Sequence, residues 1–221
     1  MKERYTDINE YIRDLQAEIA TDPKCAIHHY NLGVAMLSVG DYGEAENCFL
    51  EAIRQSAHLA EAYVQLGGLC LRRGDLDGCF QYNKEASQLR AKYAIPWANM
   101  GFVHMQRGEI DEAISALHKA LTWDPKYIQA RATFASALYA KGEYEKSAEM
   151  SRMVLKEQPA FGPAWNNLSL AVFALGDAEK AREYAEKAYE FGYDVSDEYW
   201  KELKEATKRP DCALANKRKF N

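Results

Sequence analysis

The chain has 221 residues, 48% hydrophobic, 28% charged and 12% aromatic, with 28 Lys plus Arg against 33 Asp plus Glu and a formal net charge of −5. That composition excludes a disordered or low-complexity chain, and 13 Gly with 6 Pro excludes a collagen-like one. The longest apolar run, Leu170 to Leu175, is too short to cross a membrane, and the mildly acidic balance gives no general affinity for nucleic acid.

Taken in chain order, Tyr5 to Ala20 carries Ile8, Tyr11, Ile12, Leu15 and Ile19 on one helical stripe that Pro23 stops. Residues 1–25 are therefore expected to form an N-terminal capping helix. They show no secretory signal, and the five cysteines form no C-x-x-C pair; reduced thiols and a cytoplasmic location are expected.

From residue 26 onward the sequence repeats with a period of 34. Gly40, Gly74, Gly108, Gly142 and Gly176 are spaced by it, and an acid follows each: Asp41, Asp75, Glu109, Glu143 and Asp177. Small residues recur seven positions earlier at Gly33, Gly67, Gly101, Ala135 and Ser169, and Ala52, Ala86, Ala120, Val154 and Ala188 form a further column. Five frames result: 26–59, 60–93, 94–127, 128–161 and 162–195. The late glycine suits a positive-φ helix end, the acid after it suits the N-cap of the next helix, and the early small residue suits a close helix crossing. In frame three Trp97, Met100, Phe102 and Met105 line a first helix, and Ile110, Ala113, Ile114, Leu117, Ala120 and Leu121 a second. Neither stripe can be buried alone, so the helix pairs must stack. Ser196 is placed to cap a C-terminal helix over 196–210, with Tyr199, Trp200 and Leu203 turned toward frame five and Pro210 ending it. The basic tail 211–221 has no periodicity and is expected to be loose.

These columns resemble the tetratricopeptide repeat (TPR) family, whose pattern runs aromatic, Leu-Gly, Tyr, Ala, Phe, Ala and a late Pro. Frame one matches through Leu32-Gly33, Ala45, Phe49 and Ala52; frame three through Trp97, Gly101, Ala113, Ala120 and Pro125; frame five through Trp165, Leu168, Ala181 and Ala188. Departures are Cys79 in the first Ala column, Asn83 and Ser151 in the Phe column, and Arg131 in the aromatic column. The resemblance implies an all-α fold, a right-handed α-solenoid of stacked antiparallel helix pairs. It also implies that the first helices line a concave groove holding a peptide segment of a partner protein.

No enzyme or phosphate-loop signature occurs, and the five histidines lack metal-ligand spacing; no catalytic residue, metal or cofactor is expected. His104, Cys70 and Cys79 are expected to be packing residues. The residue before each Leu32-type position is Asn31, Gln65, Asn99, Thr133 or Asn167, all polar. Asn and Gln amides both donate and accept, so Asn31, Gln65, Asn99 and Asn167 suit a grip on peptide main chain. Tyr30, Phe102, Met105, Tyr139 and Phe173 are the apolar positions expected beside them, aromatics and Met being favoured at binding surfaces. The basic residues that co-chaperone members of the family use to hold a carboxylate tail are replaced by Tyr30, Val34, Gln65, Ile95 and Asn99. The function expected is a non-enzymatic interaction adaptor for a protein or peptide partner. Alternatives are a self-assembling homo-oligomeric scaffold and a regulatory subunit of an enzyme complex.

Overall fold

The structure, a computed structural model, describes residues 7–208. Tyr5, Pro210 and the basic tail lie outside the described residues. The chain divides into two compact units, residues 1–103 and 104–221. Among the described residues every regular element is a helix.

Unit 1 contains α1 (Ile8–Thr21), α2 (Ala26–Val39), α3 (Tyr42–Gln55), α4 (Ala60–Arg72), α5 (Leu76–Leu89) and most of α6 (Ala94–Gln106). Asp7 caps α1 by accepting from the Asn9 N–H. Leu15 of α1 is buried with Leu32, Ala35 and Met36 of α2, Phe49 of α3, and Leu66 and Leu69 of α4. The close crossings rest on glycine. A Cβ on Gly33 would lie 2.6 Å from Phe49 Cε1, and one on Gly67 would lie 2.3 Å from Asn83 Nδ2. An ion pair of Arg73 with Glu46 ties successive hairpins together, and one of Arg90 with Glu61 braces the second hairpin internally.

Unit 2 contains the end of α6, then α7 (Ile110–Trp123), α8 (Ile128–Ala140), α9 (Tyr144–Glu157), α10 (Gly162–Ala174), α11 (Ala178–Glu190) and α12 (Asp197–Lys208). Its core joins Val154, Leu168, Val172, Ala181, Ala185 and Ala188 to Val195, Tyr199 and Leu203 from the C-terminal segment. Hydroxyls replace apolar contacts at two crossings: Ser147 donates to the Ala135 carbonyl at 2.8 Å, and Ser169 to the Ala181 carbonyl at 2.6 Å. Arg131, standing where other frames carry an aromatic, is buried and reaches Glu157 at 2.6 Å.

Gly40, Gly74, Gly108, Gly142 and Gly176 all have φ between +73° and +91°. The acids after them divide by side-chain length. Asp41, Asp75 and Asp177 accept from the backbone N–H three residues on, at 3.0, 2.8 and 3.1 Å. Glu109 and Glu143 stand at the same place without a side-chain cap bond. One methylene longer, they turn instead to His104 Nδ1 at 2.5 Å and Lys146 Nζ at 2.6 Å. The cap expected in every frame forms only where the acid is aspartate.

Candidate functional site

The nine expected site residues fall into two sets. Unit 1 holds Tyr30 and Asn31 on α2, Gln65 on α4, and Asn99 and Phe102 on α6. Unit 2 holds Met105 at the end of α6, Tyr139 on α8, and Asn167 and Phe173 on α10.

In unit 1, Tyr30 is half-buried, its ring tilted against Phe49 with centroids 5.7 Å apart. Phe102 is half-buried at the position equivalent to Val34. The polar residues differ in what they already do. Asn99 donates through Nδ2 to Asn83 Oδ1 at 2.9 Å, and Asn83 donates to the Cys79 carbonyl at 2.8 Å. Asn83 is fully buried where frame one carries Phe49, so Asn99 satisfies an amide oxygen that would otherwise be orphaned in the core. Asn31 and Gln65 are half-buried, and their side-chain amides make no hydrogen bond among the described residues.

In unit 2, Asn167 is buried. Its Nδ2 donates to the Ala132 carbonyl at 2.9 Å, and its Oδ1 accepts from the Ser136 hydroxyl at 3.1 Å, which joins α10 to α8. Thr133 donates back to the Gln129 carbonyl of its own helix. Tyr139 is half-buried with its ring 5.4 Å from that of Tyr144. Burial pushes its hydroxyl pKa up, and the nearby Tyr144 and Glu202 add to the rise. Phe173 meets the edge of Tyr199 of α12 at 5.6 Å and 87°. Met105 is half-buried.

The remaining polar candidates are engaged or inert. His104 is paired to Glu109, and His29 Nε2 lies 2.8 Å from the Pro23 carbonyl oxygen. Burial pushes the Cys48 thiol up to about 11, helped by Glu44 and Asp41, and raises Cys70 as well, so neither is a ready thiolate. Among the described residues there is no group of three or more His, Cys, Asp or Glu able to hold a metal ion, and no helix is long and apolar enough to cross a membrane.

Sequence reasoning missed two features. One is the Asn83–Asn99 pair; its signal is the amide in the Phe column, which needs a buried partner. The other is Gly68, an exposed residue inside α4 next to the packing glycine Gly67. Asn99→Ala is expected to destabilise unit 1 by about 1–3 kcal/mol by stranding the Asn83 oxygen, and Asn83→Leu in the same chain is expected to recover much of the loss. Urea unfolding followed by circular dichroism checks this, and full stability of the single variant would refute it.

Three family models described as tetratricopeptide repeat match residues 37–92, 104–171 and 162–191. The chain is a tetratricopeptide-repeat protein. Its all-α fold of stacked helix pairs is the fold class of that family, whose members are generally non-enzymatic interaction scaffolds. No curated protein matches this TPR chain. Solved structures are similar in fold. PilF of Pseudomonas aeruginosa is 18% identical with a TM-score of 0.71, over 80% of this chain and 81% of that one. A tetratricopeptide repeat protein from Parabacteroides merdae is 17% identical with a TM-score of 0.70, over 96% and 85%. YrrB, described as a TPR protein with an unusual peptide-binding site, is 18% identical with a TM-score of 0.64, over 80% and 92%.

Proposed function

We propose that this protein is a cytoplasmic, non-enzymatic adaptor that holds a peptide segment of a partner protein on the first-helix face of its repeats. The observation that carries the reading is in unit 1, where the open amides of Asn31 and Gln65 stand in one column beside half-buried Val34 and Phe102. An amide that donates and accepts can pair with both main-chain groups of an extended segment, and the apolar neighbours supply contact area. The peptide-binding site of YrrB is consistent with this use of the fold. Asn31 and Gln65 are assigned the main-chain grip and Phe102 part of the apolar contact. In unit 2, Tyr139, Phe173 and Met105 are the apolar contacts of a second stretch. Asn99 commits one Nδ2–H to Asn83 and keeps its Oδ1 and second N–H, whereas Asn167 is buried with both ends of its amide engaged.

The test is selection of peptides from a phage-displayed random library on the full chain, with affinities then read by fluorescence anisotropy. Replacing both Asn31 and Gln65 by Ala is expected to weaken selected peptides about tenfold or more, as expected for two lost hydrogen bonds, with an unchanged circular dichroism spectrum. If the library yields no binder, or if every binder ignores the double substitution, the reading is wrong.

A further inference from the structure

Gly67 and Gly68 stand side by side in α4 and answer opposite demands. Packing requires the first: its Cβ would collide with Asn83. Nothing in the fold requires the second. A Cβ on Gly68 would meet nothing within 4 Å, and Gly68 does not have positive φ. A glycine inside an exposed helix is unfavourable relative to alanine, and here neither backbone conformation nor internal packing compensates. The use of glycine left over is to let the atoms of another molecule come close to the backbone.

Its position says what would come close. Gly68 lies three residues after Gln65 and seven after Glu61, so the three share one face of α4. The equivalent places on α2 and α6 carry Val34 and Phe102, so α4 shows bare backbone where its counterparts show a side chain. Of the charges along the same face, one is matched by an opposite charge inside the chain and one is not. Glu61 lies 2.7 Å from Arg90, and the Arg72 guanidinium sits 3.6 Å over the Tyr42 ring. Arg72 keeps its positive charge one turn from Gly68, so the electrostatic complement of this place is a segment without basic residues.

The geometry points to Gly68 as the residue that sets the side-chain preference of the site. An extended segment of the partner, without basic residues at this place, lays one large apolar side chain, of leucine, methionine or phenylalanine size, on the bare turn of α4, in the column that Val34 and Phe102 continue. Asn31 and Gln65 hold its main chain. This rests on the peptide-holding function proposed above.

The experiment uses the same displayed library on wild type, Gly68→Ala and Gly68→Leu. Peptides selected on wild type are expected to share one large apolar residue. Truncating that residue to alanine weakens them about tenfold or more, and Gly68→Leu weakens them by a similar factor, the discrimination that buried methylenes give. Gly68→Ala is expected to melt higher than wild type and to bind more weakly. Should the leucine variant fail to fold, Gly68→Ala and the truncated peptide decide the matter. Peptides that need Asn31 and Gln65 but bind the Gly68 variants as well as wild type overturn the assignment of Gly68 and leave the adaptor reading standing. An absence of binders, or binders indifferent to Asn31, Gln65 and Gly68 alike, overturns both.

Discussion

Phe49→Ala is expected to destabilise unit 1 by about 3–5 kcal/mol, the range for truncating a fully buried phenylalanine. The ring is completely buried, lies in one cluster with Leu32, Leu66 and Leu69, and packs against Tyr30. It also fills the space that Gly33 leaves open. Gly33→Ala alone would drive a Cβ to 2.6 Å from Cε1 and 2.8 Å from Cδ1 of the ring, which has no free side to move toward. That overpacking is expected to cost about 1–3 kcal/mol. With Phe49 truncated, the sign reverses. The new methyl group at 33 enters the cavity, and alanine is the better helix former by about 1 kcal/mol. The pair should therefore be strongly non-additive, with the double variant more stable than Phe49→Ala alone. Chemical denaturation of the four proteins in the cycle measures this. A double variant equal to the sum of its singles would mean that Gly33 and Phe49 do not share this crossing.

The repeat was legible because its signals are local. A glycine after each first helix is forced by positive φ, and the small residue at 33 or 67 is forced by the helix facing it within the same hairpin. The polar column was legible only as a column. Whether Asn99 or Asn167 has a spare amide depends on Asn83, 16 residues away, and on the Ala132 carbonyl, 35 residues away. Periodicity within a frame carries no information about such pairs, because each joins residues of two different frames. Asn99 answers the polar residue that replaced an aromatic in the preceding second helix. Asn31 and Gln65 face no such departure and keep their amides open. The capping acids show the same limit at short range, since aspartate and glutamate are equal in charge pattern and differ in reach.

Tyr199→Ala is expected to destabilise unit 2 by about 3–5 kcal/mol, as for other large buried aromatics. Tyr199 is 6% exposed and belongs to α12, outside the five repeat frames. In frame five the Phe column holds only Ala185, which is buried in the same cluster as Tyr199. The phenol is fixed at both ends: its ring stands edge-on to Phe173, and its oxygen is 2.8 Å from Ser169 Oγ. Because the Ser169 hydroxyl proton goes to the Ala181 carbonyl, the Tyr199 O–H is the donor to Ser169. Burial pushes the phenol up to about 12. The raised value fixes the direction of the pH effect. The neutral phenol contributes fully below about pH 10, its ordinary value, and that contribution is lost as pH rises toward 12. Tyr199→Phe keeps the ring and should lower stability by only about 1 kcal/mol near neutrality while flattening the alkaline loss. Thermal melts of both variants from neutral to alkaline pH check the pair of expectations, and a melting temperature that Tyr199→Ala leaves unchanged would show that α12 does not cover unit 2. The comparison also assigns Phe173. If its ring serves mainly to seat the terminal helix, Phe173→Ala should lower stability and add little to Tyr199→Ala. If it serves a bound peptide, it should weaken binding at unchanged stability.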